Sequence, residues 1–183
     1  MPNSFPIEED ETEVSFVVSA QASLAMLTPE RSSGSPERKP HSPYALPAGA
    51  GTPLVWFGAS ITRKASCPEL GVTEVLMSPG EEPPFHVHQN EDEWFYLLDG
   101  KVTFHVGGEH YPSAAGAFVS FPRRIPHTFT VESPSARFLV LNTPGGFEHM
   151  FELAPQTPED AARALQAYGM EVVGPHPRQA AAA

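Results

Sequence analysis

Between residues 47 and 142, short runs rich in β-branched, aromatic and aliphatic residues alternate with turn-forming clusters: LVWFGASITR, GVTEVLMS, EWFYLLDG, KVTFHVGGEH, GAFVSFP, HTFTVE and ARFLVLN. Within KVTFHV, Val102, Phe104 and Val106 alternate with Lys101, Thr103 and His105, a period of two that gives a strand one buried and one wetter face. Asp99-Gly100 and Gly107-Gly108 separate strand-like runs and read as hairpin turns, because these dipeptides tolerate the positive φ of tight turns. Strands this short, at this spacing, predict an all-β sandwich or barrel.

The pattern changes at both ends. Residues 1–46 are mostly polar, and the stretch PERSSGSPERKPHSP has no period that could bury a face, so they read as a flexible N-terminal tail. Inside it, EVSFVVSAQASLAML has the apolar content of a strand or a helix, with no partner to decide between them. Beyond the strands, Thr157 suits an N-cap, Pro158 the first helical position, Glu159 and Asp160 the first turn, and Gly169 the end of a helix. Ala161, Ala164, Leu165 and Tyr168 recur at helical spacing, which predicts one helix packed on the outside of the strands. The expected division is therefore a tail over 1–46, a β-barrel over 47–154, and a helix with a frayed end over 155–183.

Composition narrows the partners. The chain of 183 residues has room for one ordinary domain with tails. Its formal charge of -11, from 22 acidic and 11 basic residues, repels phosphate backbones and anionic lipid, so neither nucleic acid nor membrane is an expected partner. A single cysteine, Cys67, allows no intrachain disulfide and no thiolate metal cluster. The first twenty residues are acidic where a secretory signal is basic, and no apolar run reaches the roughly 18 residues of a membrane span. A cytoplasmic location is the expectation.

The candidate chemistry is histidine-based. His86 and His88 flank one residue just before a strand-like run, and strand alternation points both imidazoles to the same side. Glu93 follows on the next β-rich run, and His127 opens HTFTVE. Such a set of imidazoles and one carboxylate suits Mn, Fe, Co, Ni, Cu or Zn. Glu91 and Asp92 offer alternative carboxylates if the loop slips. The remaining histidines, His41, His105, His110, His149 and His176, read as surface or core residues, with His149 of interest because it follows PGGFE near the expected barrel mouth.

In PGEEPPFHVHQNEDEWFYLLDG, five residues separate Gly80 from His86, one separates His86 from His88, four separate His88 from Glu93 and six separate Glu93 from Gly100. This resembles the first motif of the cupin superfamily. GAFVSFPRRIPHTFTV, with Gly116, Pro122 and His127, resembles the second. Two positions depart from that motif: Arg124 stands where a glycine is usual, and Val131 where an asparagine is usual. ALPAGAGTPLVWFGASITRKAS, NTPGGFEHMFEL and YGMEVVGP extend the resemblance to single-domain cupins similar to quercetin dioxygenase, over about residues 45 to 175.

The resemblance implies a double-stranded β-helix, or jelly roll, commonly paired into homodimers. It implies one divalent metal ion held by His86, His88, Glu93 and His127, with Glu93 also the catalytic base. A dioxygenase acting on a small aromatic or enol substrate is the leading expectation. The alternatives are a non-oxidative metal-dependent isomerase or lyase, and a non-catalytic small-molecule-binding cupin. Strand alternation sends Phe95, Leu97 and Phe129 to the same side as the candidate ligands, and the Pro144-Gly145-Gly146 turn directly after the last strand puts Phe147, Met150 and Phe151 near the mouth. Each of these apolar residues is more commonly core than pocket.

Overall fold

The structure is a computed structural model that describes residues 42–153, 155 and 157–180. Of the expected tail, residues 1–41 lie outside the described residues, as does the end of the chain after residue 180. Eleven strands are described: β1 (Thr52–Trp56), β2 (Ala59–Cys67), β3 (Leu70–Met77), β4 (Phe85–His88), β5 (Asp92–Asp99), β6 (Lys101–Val106), β7 (Glu109–Ala114), β8 (Phe118–Phe121), β9 (His127–Val131), β10 (Ala136–Thr143) and β11 (Met170–Gly174). They form two antiparallel sheets, β1-β2-β3-β10-β5-β8 and β11-β4-β9-β6-β7. The all-β jelly roll expected from the sequence is the observed architecture, and no helix among the described residues is long and apolar enough to cross a membrane.

Alternation places the core between the sheets. Phe95 and Leu97 from β5, Phe138 and Val140 from β10, Val102 and Phe104 from β6, and Phe129 and Val131 from β9 are all buried there. The aromatic rings of this group contact one another at tilted or edge-on angles, for instance Phe95 with Phe121 at 4.8 Å between centroids. Gly107 and Gly108, both at positive φ, close the two-residue hairpin β6–β7 as expected.

Asp99-Gly100 does not. β5 and β6 belong to different sheets, so the dipeptide carries the chain across the barrel edge and closes no hairpin. Gly100 is nonetheless required: its φ is 92°, and a Cβ there would lie 2.5 Å from the Ser135 carbonyl oxygen.

After β10, a 3-10 helix (Phe147–Glu152) leads to α1 (Pro158–Ala167). Thr157 caps α1 by accepting a hydrogen bond from the Asp160 backbone N–H at 3.1 Å. Ala161 and Ala164 are buried, and Leu165 and Tyr168 pack against Phe147, Met150 and Met170. The sequence pattern assigned no strand after this helix, yet β11 pairs with β4, setting Met170 opposite His88 and Val172 opposite His86. Only Met170 of β11 is buried, so the strand lacks the alternation that would mark it in sequence. A short α2 (Pro177–Ala180) follows.

Candidate metal centre

Three imidazoles come from one sheet and the carboxylate from the other. His86 and His88 share the inward face of β4, and His127, the first residue of β9, lies directly opposite His86 in the ladder. Glu93 projects from β5 on the facing sheet, between Phe121 of β8 and Asn142 of β10. One ligand atom from each of the four residues lies within 4.8 Å of the other three, and none of the residues is more than 6% exposed. All four candidates from the sequence are brought together.

Hydrogen bonds decide which ring nitrogens face the centre. His86 Nδ1 donates to the Pro84 carbonyl at 2.9 Å and His127 Nδ1 to the Ile125 carbonyl at 2.8 Å, which leaves both Nε2 atoms as lone-pair donors. His127 Nε2 is buried without a hydrogen-bond partner, 3.4 Å from Glu93 Oε2. An imidazole nitrogen and a carboxylate oxygen facing each other at that distance in a dry interior are stabilised by a positive charge between them, a metal ion or a proton on Nε2. His88 Nε2 stands 3.8 Å from the same oxygen. The donor set therefore fits one divalent ion of the borderline class, held by His86, His88, His127 and Glu93.

Electrostatics follow from the burial. The His86 imidazole is pushed down from 6.5 to about 3, chiefly by desolvation and then by His127 and His88 beside it. For Glu93 burial acts upward, but His88, His127 and His86 outweigh it and hold the carboxyl at about 2. A neutral His86 imidazole and an ionised Glu93 carboxylate are protonation states that bind a cation.

The neighbouring acids point elsewhere. Asp92 is taken by Arg123, whose Nε and Nη2 lie 3.0 and 2.8 Å from its two oxygens. Glu91 is buried on the far side of His88, 3.6 Å from Nδ1. Glu93 alone of the three faces the other ligand atoms. Asn142, missed in the sequence, donates to Glu93 Oε1 at 3.4 Å. Its signal was available, since it is a polar residue at the inward position of β10 after Phe138 and Val140.

Phe95, Leu97 and Phe129 face inward as expected but pack as core. Phe147 is buried against one of the four candidate ligands, its ring edge-on to His88 with 4.4 Å between centroids. His149, two residues on, turns away: it meets Ser66 Oγ at 2.9 Å and Arg63 Nη1 at 3.2 Å, and does not join the cluster. His105 and His110 contact each other on the β6–β7 hairpin, and His176 bonds the Phe129 carbonyl.

The two departures from the second motif are absorbed locally. Arg124 adopts φ 65°, the conformation a glycine would take, and its N–H bonds the His88 carbonyl at 2.8 Å. Val131 is core, and its backbone N–H is satisfied by Glu82 Oε1 at 2.8 Å.

Residues 73–142 match the family described as the cupin domain. Quercetin 2,3-dioxygenase of Bacillus subtilis (strain 168) is 26% identical over 119 residues, covering 63% of this chain and 35% of that protein. Quercetin 2,3-dioxygenase of Aspergillus japonicus is 32% identical over 71 residues, covering 36% and 20% respectively. The chain thus spans about a third or less of the length of these curated relatives. A nucleoside dehydratase from Streptomyces superposes with a TM-score of 0.54 at 13% identity, covering 75% of this chain and 97% of that one, a likeness of fold alone. Motif, barrel and family match together place a cupin domain at residues 73–142 of this chain, which is similar to quercetin 2,3-dioxygenase.

Proposed function

We propose that the chain is a metal-dependent dioxygenase of small aromatic or enol substrates, with His86, His88, His127 and Glu93 holding one divalent ion. The observation that carries this reading is the convergence of four buried ligand atoms within 4.8 Å, with His127 Nε2 facing Glu93 Oε2 at 3.4 Å. When bound, a redox-active ion supplies Lewis acidity and one-electron chemistry toward dioxygen.

Glu93 is the base. Its ionised carboxylate, beside the other candidate ligands, can accept the proton of a substrate hydroxyl as that hydroxyl binds. That favours phenols and enols, with pKa values of about 10 for a phenol, over aliphatic alcohols. Asn142 steadies Oε1 of Glu93. Phe147 shields the centre from water and must shift to admit substrate, because every candidate ligand is buried beneath it or the barrel wall.

A second copy of the chain is the proposed partner. Tyr96 and Phe118 are cross-strand neighbours on the outer face of the first sheet, 41% and 61% exposed, which supports a homodimer covering that face. The single cysteine and the acidic charge accord with a cytoplasmic protein that binds a small molecule and neither nucleic acid nor membrane.

The test is oxygen uptake by protein reconstituted separately with Mn, Fe, Co, Ni and Cu, over catechols, flavonols and diketones. Uptake that requires metal and matches product formation is expected. Conversion of a substrate without oxygen consumption would replace this reading with an isomerase or lyase. Tight binding without conversion would make the chain a binding module.

A further inference from the structure

We propose that Glu91 is the positioning residue for His88, its carboxylate accepting the Nδ1–H and so orienting Nε2 toward the ion. The inference rests on the metal-centre reading above and adds a residue that the motif does not supply. It starts from an asymmetry among the three imidazoles. His86 and His127 each donate Nδ1–H to the backbone carbonyl two residues earlier, Pro84 and Ile125. His88 has no hydrogen-bond partner at Nδ1, although the atom is buried.

What faces that atom is Glu91 Oε2, at 3.6 Å, itself buried and also without a hydrogen-bond partner. Two unpaired, complementary groups in a dry interior gain by closing the few tenths of an ångström that separate them from a hydrogen bond. The surrounding chain holds them in register. Gln89 N–H bonds the Gly169 carbonyl at 2.8 Å, the Arg124 N–H bonds the His88 carbonyl at 2.8 Å, and Arg123 clamps the adjacent Asp92.

The consequence for the ion differs from that of a carbonyl partner. A carboxylate accepts the Nδ1–H more strongly, which raises the electron density at Nε2 and restricts ring rotation, and both effects tighten the bond to a metal. His88 is then the strongest of the three imidazole ligands. Glu91, one of the acids that the sequence offered as an alternative ligand, acts through His88 from the opposite side.

The test uses Zn²⁺ as the probe, with affinity measured by chelator competition on the full chain, Glu91→Leu and Glu91→Gln. Leu removes both charge and acceptor and lowers zinc affinity by about 10- to 100-fold; Gln keeps an acceptor oxygen and falls in between. In the zinc-loaded wild type, the His88 Nδ1 proton resonates downfield of those of His86 and His127, and Glu91→Gln moves it upfield. Zinc-free Glu91→Gln unfolds at the wild-type denaturant midpoint, which separates positioning from a merely structural role. Equal zinc affinity in all three proteins overturns the proposal, as does a loss of zinc-free stability that accounts for the loss of affinity. A wild type that binds no zinc overturns the metal-centre reading itself.

Discussion

Lowering the pH of the metal-free protein from 7 to 5 should destabilise it through His86. In the folded chain this imidazole titrates at about 3, against 6.5 when solvated, because burial and the neighbouring His127 and His88 disfavour its charge. The unfolded chain therefore binds a proton below pH 6.5 that the native state refuses. Stability is at its full value above 6.5 and is lost progressively as pH falls toward 3. Between pH 7 and 5 the unfolded histidine goes from mostly neutral to almost fully protonated while the folded one stays neutral, which is worth about 2 kcal/mol. With a urea m-value of about 2 kcal/mol/M, the midpoint should fall by about 1 M. Glu93, lowered from 4.5 to about 2, adds its loss only at lower pH. His105 is also lowered, by burial first and then by His110 and His176, and acts in the same direction. Chelator-treated wild type and His86→Leu, each titrated with urea at both pH values, isolate the His86 share as the difference between their shifts. An equal shift in both proteins, or none in the wild type, would refute the argument.

Other perturbations follow from single distances and angles. Glu93→Gln keeps an oxygen near the ion and loses the proton acceptor, so bound metal should be largely retained while turnover of an identified substrate falls by about 10² to 10⁴; metal content and initial rates check this. Gly100→Ala forces a Cβ to within 2.5 Å of the Ser135 oxygen at φ 92° and should cost about 2 kcal/mol or more in chemical denaturation. Arg124→Gly relieves a positive φ of 65° at an exposed side chain and should stabilise the fold by about 0.5 to 1 kcal/mol, read in the same assay.

The strands that bury alternate residues were legible because burial on one face is a sequence pattern: β6 shows it in Val102 and Phe104, and β10 in Phe138, Val140 and Asn142. β11 was not, because Glu171, Val172 and Val173 are all exposed and the strand is held by backbone pairing to β4. Gly100 carried a correct local message, positive φ, but turn chemistry does not say which sheet the next strand joins. At the centre, the spacing of His86, His88, Glu93 and His127 was readable because strand geometry and motif agree. Phe147 and Glu91 act through contacts between elements far apart or around a loop, which periodicity along one strand does not encode, and the alternation of β10 marks Asn142 as inward without revealing its contact with Glu93.

Zinc stoichiometry with X-ray absorption at the zinc edge, on wild type and His127→Ala, bears most directly on the central claim. The account predicts one ion per wild-type chain, with a shell of three imidazole nitrogens and one carboxylate oxygen at about 2.0 to 2.2 Å. It predicts that His127→Ala loses most of that ion while its far-ultraviolet circular dichroism remains that of the barrel. A wild type without bound zinc, or a His127→Ala variant with an undiminished ion in an unchanged shell, would contradict it.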